Sequence, residues 1–273
     1  MSEAPQLFDP KALTRNRARA AAAPEMFLHE IAADEIKHRL SMVNKSFNAS
    51  VIVTGHGDFW QHILPDAVIV SADEVLKLEP RAHDLIIHAM ALHWANDPVG
   101  QMIQCLHALK PDGLFMAVMF GGQTLHELRA TLAEAEAQVS GGLSPRVAPM
   151  SEIRDMGALL QRAGFALPVI DSLPIKTSYK SLTHLMHELR AMGERNALHG
   201  RVRHFTRPSL FTAAEALYRR AFAAADSRIE ATFELLFLLG WAPDATQPKP
   251  LRPGSASARL ADALGSLEMP LKD

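Results

Sequence analysis

The chain has 273 residues, 48% of them hydrophobic and 21% charged, with a formal net charge of -2. This is the composition of an ordinary globular protein, long enough for one domain with an insertion. The balanced charge offers no basic face for nucleic acid or an anionic membrane, and no stripe of cations with interleaved aromatics is visible. The single cysteine, Cys105, lies in the helical apolar period of Met102 to Lys110, which excludes a disulfide framework and a cysteine metal site and fits a reducing cytoplasm. The opening residues carry acids and a proline where a signal peptide needs an apolar stretch, and no segment reaches the roughly 18 apolar residues of a membrane span. The expectation is a soluble cytoplasmic protein with no integral membrane segment.

In chain order, Pro10 to Ala23 reads as a basic helix whose Arg15, Arg17 and Arg19 form a solvated face. Met26 to Val43 reads as an amphipathic helix, with Phe27, Leu28, Ile31, Ile36 and Leu40 packing it onto a sheet edge. From Ser50 short apolar runs alternate with helices: Val51-Ile52-Val53, Val68-Ile69-Val70, Leu85-Ile86-Ile87 and Leu114 to Val118. Such runs, rich in branched residues, predict parallel strands buried on both faces and so an α/β fold. Pro98 to Leu109 is a helix that Lys110-Pro111-Asp112-Gly113 ends in a turn directly before a strand. Ser151 is read as the cap of the next helix, which Ala163-Gly164-Phe165 stops before a strand at Val169 to Ile175. Ser181 to Ala225 reads as wholly helical, and Ile229 to Trp241 as a long closing strand. Pro243 to Ser257 is rich in proline and small residues, as irregular surface chain is. The resulting partition is N-terminal helices over 1–45, a core of 46–180 with 228–242, a helical insertion or lid at 181–227, and an irregular tail at 243–273.

Ligand sites of open parallel sheets gather at the carboxyl ends of the strands. Gly55-His56-Gly57 follows the first run as a turn where backbone can approach a ligand. Asp73-Glu74 follows the second, where acids can accept hydrogen bonds from ribose hydroxyls or an adenine amine. His93-Trp94-Ala95-Asn96-Asp97 follows the third, with Asp97 also placed to cap the helix at Pro98. His83, His88 and His93 recur at five-residue spacing, but on a strand and turn their rings alternate faces, and no acid or cysteine set accompanies them, so no metal site is expected. His88, His93 and Trp94 join Gly55, Gly57, Asp73 and Glu74 as the candidate cofactor-binding residues. No serine sits in a nucleophile elbow, and no catalytic residue is assigned.

His93-Trp94-Ala95-Asn96-Asp97, Leu109-Lys110-Pro111-Asp112-Gly113 and Met119-Phe120-Gly121-Gly122-Gln123-Thr124-Leu125-His126-Glu127-Leu128-Arg129 together resemble a specific family. It comprises the respiratory complex I (NADH dehydrogenase) assembly-factor-five proteins, relatives of the malonyl-carrier-protein methyltransferase of biotin synthesis. The resemblance continues through Gly142-Leu143-Ser144-Pro145, Leu160 to Phe165, Met192-Gly193-Glu194-Arg195-Asn196, Gly240-Trp241 and Gly254-Ser255-Ala256, and covers nearly the whole chain from Phe8-Asp9. It implies a Rossmann-like class I methyltransferase fold, S-adenosylmethionine as cofactor and a part in maturing complex I. In that family the mitochondrial relative hydroxylates an arginine of a complex I subunit, while related enzymes methylate small carboxyl-bearing substrates.

The chain departs from the family at the cofactor. Against a first motif resembling D-x-G-x-G-x-G stands Val51-Ile52-Val53-Thr54-Gly55-His56-Gly57, with Val51 in place of the acid and Val53 in place of the first glycine. Between Gly57 and Asp73 there is room for one short helix, broken at Pro65, and one strand, whereas a complete βαβ unit takes roughly 30 residues. One strand and one helix are missing, and with them the usual ribose-binding acid, for which Asp73 can substitute. The expected function is methyl transfer to a protein or small carboxyl-bearing acceptor in complex I maturation. The alternative is a pseudoenzyme of the same fold acting as an assembly chaperone for a complex I subunit.

Overall fold

The computed structural model describes residues 6–224 and 226–248. Its core is a six-stranded sheet in the order β2-β1-β3-β4-β6-β5, formed by β1 (Ser50–Thr54), β2 (Val68–Ser71), β3 (His83–Ala89), β4 (Leu109–Phe120), β5 (Ala166–Tyr179) and β6 (Ile229–Trp241). The first four strands run parallel, and β6 lies antiparallel between β4 and β5. Because β1 has β2 on one side and β3 on the other, successive crossovers part at β1 and open a crevice at the strand ends. Between β1 and β3 the chain forms only α3 (Gly57–Ile63), β2 and an irregular passage over 72–82. The N-terminal half of the sheet is thus short by a strand and a helix, as the spacing predicts.

Strand alternation sorts the core into two layers. Ile52, Ile87, Met116, Val118, Phe233 and Phe237 face one cluster with α2 (Phe27–Met42), α5 (His126–Ser140), α7 (Leu182–Ala191) and α8 (Pro208–Phe222). Val51, Val53, Ile86, Phe115, Ala117 and Leu238 face the other with α4 (Pro98–Ala108) and α6 (Ile153–Ala163). Cys105 is a buried free thiol on α4. A smaller cluster seats α1 (Pro10–Ala20): Phe8, Ala12 and Leu13 pack on Trp94, Ala148, Ala197 and Leu198.

Four local expectations change. α2 packs across a sheet face, not an edge: Leu28, Ala32, Ala33 and Ile36 are buried with residues of β1, β3, β4 and β6, and Arg39 reaches Asp171 on β5 at 2.7 Å. The turn at Lys110 to Gly113 is absorbed into β4 as an irregularity, His83 pairing with Leu109 but Leu85 with Leu114, and Asp112 takes φ 59 to permit it. Glu152, not Ser151, is the N-cap of α6, without a side-chain cap bond, and Ser151 instead bridges to Gly121. Residues 192–207 between α7 and α8 are irregular: Gly193 at φ 81 ends α7, and Pro208 opens α8.

The chain separates into two units, Met1–Pro243 and Asp244–Asp273. In the second, Asp244 Oδ1 accepts from Thr246 N at 2.9 Å and Thr246 Oγ1 at 2.6 Å in a local turn. The rest of the expected irregular tail, with Gly254-Ser255-Ala256, lies outside the described residues.

Phe115 is fully buried and stacks on Phe165 with centroids 4.7 Å apart. Phe115→Ala should cost about 3–5 kcal/mol, read as a lower urea midpoint with an unchanged denaturant slope. A loss below about 1 kcal/mol would mean that this layer does not hold the sheet.

Candidate functional site

At the carboxyl ends of β1, β2 and β3 lies a cavity of about 1300 Å³ whose lining includes Gly55, Gly57, Asp73, Glu74, Trp94 and Arg17. Five of the seven sequence candidates therefore meet in one cleft. The turn after β1 is fixed by Thr54, whose Oγ1 accepts from His56 N at 3.2 Å. Asp73 and Glu74 sit exposed at the rim, and α4 pins their backbone. Gln101 Nε2 donates to the Asp73 carbonyl at 2.9 Å, Gln104 Nε2 to the Glu74 carbonyl at 3.0 Å, and Gln104 Oε1 accepts from Leu76 N at 2.8 Å.

His88 and His93 are not on the cavity wall. His88 is fully buried on β3, with Nε2 2.9 Å from Gln101 Oε1. Gln101 spends its amide N–H on Asp73, so the ring donates: His88 orients the glutamine that holds the acidic turn, one layer behind the cleft. His93 is buried in a single turn of 3-10 helix with Trp94, packed edge-on to Phe120 at 4.7 Å, with Nε2 3.4 Å from Glu194 Oε2. Asp97 caps α4 by accepting from Gly100 N at 2.7 Å. Among the described residues no group of three or more His, Cys, Asp and Glu could hold a metal ion.

Two site residues were not legible in the sequence. Arg17 turns inward from α1, unlike the exposed Arg15 and Arg19. Its guanidinium lies against Gly55, so close that a Cβ there would stand 2.1 Å from its Cζ, and its stem lies against Gly193. Arg17 Nε and Nη2 are buried and have no hydrogen-bond partner among the described residues. Glu194 follows the irregular end of α7. Its Oε2 accepts from Trp94 Nε1 at 2.7 Å, while Oε1 is buried without a partner. Burial alone would raise the Glu194 carboxyl, but the His93 hydrogen bond and the charges of His93, Arg17 and His56 outweigh it and hold it down at about 2. Only the MGERN stretch hinted at Glu194, and nothing in the alanine-rich helix set Arg17 apart.

Behind the glycine turn, Trp60 Nε1 donates to His29 Nδ1 at 3.2 Å, and the His29 ring meets His56 edge-on at 4.6 Å. Trp94 also lines a second cavity of about 590 Å³, together with Glu194, Phe120 and Leu128. The MFGG motif is structural: Gln123 N donates to Glu234 Oε2 at 2.9 Å and Thr232 Oγ1 to Glu127 Oε1 at 2.5 Å, tying the end of β4 to β6.

Burial pushes His29 to about 3 and His56 and His88 to about 4. The folded chain withholds protons that the unfolded chain takes up near pH ~6.5. The stability these rings contribute is therefore intact above that pH and lost as pH falls toward 4. Urea midpoints should drop through this window, and His88→Gln, which keeps a partner for Gln101, should make the drop shallower. An unchanged slope in the variant would contradict the burial account.

No family model matches the chain. It is similar to the protein named Arginine-hydroxylase NDUFAF5, mitochondrial: 33% identical over 220 residues to that of Homo sapiens, covering 81% of this chain and 64% of that protein. To that of Dictyostelium discoideum it is 38% identical over 207 residues, covering 75% and 47%. A malonyl-[acyl-carrier protein] O-methyltransferase of Halorhodospira halophila is 33% identical over 158 residues, covering 58% of this chain and 52% of that one. The chain thus spans about half to two thirds of the length of these relatives. Among solved structures, the YcgJ protein of Bacillus subtilis superposes with a TM-score of 0.50 at 10% identity, covering 77% of this chain and 98% of that one. The chain is a homologue of the NDUFAF5 proteins, built on the class I methyltransferase fold.

Proposed function

We propose that the chain is an S-adenosylmethionine-dependent methyltransferase acting in the maturation of respiratory complex I. The observation that carries this reading is the large cleft at the ends of β1, β2 and β3, where a glycine turn faces an acidic turn that α4 holds in place. The residues present suit the cofactor. Asp73 and Glu74 offer carboxylates to ribose hydroxyls, and the Arg17 guanidinium seated against Gly55 has buried nitrogens without a hydrogen-bond partner among the described residues, suited to an anion such as the carboxylate of a methionine moiety. When bound, S-adenosylmethionine supplies an electrophilic methyl group with its own leaving group, so no dedicated acid or metal is required of the protein. This chain's part is to orient and to exclude water: Trp94, fixed by Glu194, walls the cleft, and α7 and α8 would cover the acceptor side. The names of the relatives support two acceptor chemistries, an arginine side chain and a carboxyl group. The chain's only cysteine is a buried, unbridged thiol, and no described helix is long and apolar enough to cross a membrane.

One observation favours a second reading, a non-catalytic assembly chaperone that binds a complex I subunit. Arg17 occupies the face of Gly55 that a ligand would approach, as a fold that had given up its cofactor would allow.

Calorimetric titration with S-adenosylhomocysteine separates the two. Saturable binding is expected, weakened at least about tenfold by Asp73→Ala, which removes a hydrogen-bonding carboxylate. Gly55→Val, whose side chain would drive into Arg17, should abolish it. A flat trace up to millimolar ligand would contradict the enzyme and leave the chaperone, which a pull-down of respiratory-chain subunits would then have to support.

A further inference from the structure

The second cavity differs from the first in charge. Its inner wall is apolar and buried, with Phe120, Leu128, Leu132, Leu189 and Phe233 among its residues. Its rim carries Arg15, Arg19, Arg190, Arg195 and Arg203, four of them exposed and Arg195 half-buried. None of these five forms an ion pair with a described residue. Two further lining arginines are already neutralised, Arg146 by Glu136 at 2.7 Å and Arg201 by Asp9 at 2.8 Å. Glu194 is the only acid on the described wall, and its charge is held by Trp94 and His93. The cofactor cleft has the opposite balance, with Asp9, Asp58, Asp73 and Glu74 against Lys11 and Arg17 in its lining.

We propose that this second cavity binds an amphiphilic anion, a carboxylate or phosphate head on an apolar stem. Converging guanidinium groups without partners repel one another until an anion lies among them, and their planar forks match both carboxylate and phosphate. Burial and then the charges of Arg190, Arg19 and Arg15 lower the Arg195 guanidinium, as expected of cations crowded without an acid. A bare inorganic ion would leave the apolar wall wet, a neutral lipid would leave the arginines unpaired, and a cationic acceptor such as a guanidinium would meet five like charges. A volume of about 590 Å³ lies within the range of small-molecule sites. The inference goes beyond the proposed function: the stem runs toward Trp94, which the cavity shares with the cofactor cleft, while the anionic head stays among the arginines of the rim.

The test titrates the full chain, below micellar concentration, with decanoate, decyl phosphate, decylamine, decanol and inorganic phosphate, and in parallel with S-adenosylhomocysteine. Decanoate and decyl phosphate should bind, the tighter of the two naming the head group, while decylamine, decanol and inorganic phosphate should not. Added salt should weaken the binding. The double variant R190E and R195E should lower decanoate affinity at least about tenfold, and R190K with R195K should retain most of it; equal thermal midpoints show that both variants fold. Decylamine binding as tightly as decanoate, or charge reversal leaving decanoate unaffected, would overturn the proposal. Decanoate binding without S-adenosylhomocysteine binding sustains the anion site and refutes the cofactor reading, whereas the reverse pattern refutes the anion site alone.

Discussion

The hydrogen bond from the Trp94 indole to the Glu194 carboxylate, 2.7 Å long, joins the strand ends of the sheet to the chain leaving α7. Trp94 follows β3, Glu194 follows α7, and the N-terminal segment closes over both. Phe8 meets Trp94 edge-on at 5.0 Å, Phe8 N donates to Asn96 Oδ1 at 2.8 Å, and Asn16 Nδ2 donates to the Arg195 carbonyl at 3.2 Å. A buried carboxylate is costly unless it is hydrogen-bonded and near positive charge. The arrangement of His93, Arg17 and Trp94 around Glu194 follows from that requirement.

The same wall separates two compartments of opposite charge. Acids rim the cleft at β1, β2 and β3, and arginines rim the cavity beneath α7 and α8. The glutamines of α4 that hold Asp73 and Glu74, with His88 behind them, give the shortened half of the sheet a fixed acidic turn despite its missing strand and helix.

Much of this fold was legible in the sequence because branched apolar runs and helical periods rarely mislead: Val51-Ile52-Val53, Val68-Ile69-Val70, Leu85-Ile86-Ile87 and Ile229 to Trp241 all lie within strands. β5 extends beyond the Val169 to Ile175 expectation because an edge strand that alternates between half-buried and exposed residues carries a weak apolar signal. Among the candidate residues, Gly55, Gly57, Asp73, Glu74 and Trp94 converge because the strand-end rule is geometric. His88 could not be separated from them by sequence, since its place depends on which way β3 presents it to Gln101. Arg17 was invisible, and Glu194 only hinted at, for another reason. Their meeting is tertiary, set by how α1 docks on Trp94 and Leu198, and no local pattern records it.

The central claim is that the cleft at the strand ends still takes a nucleoside ligand although Val51 and Val53 stand where the family motif has an acid and a glycine. A crystal structure of the full chain grown with S-adenosylhomocysteine tests it most directly. The account predicts adenosine density beside Gly55 with a carboxylate of the Asp73 turn on the ribose hydroxyls. A cleft that stays empty, with the Arg17 guanidinium still seated on Gly55, would contradict it.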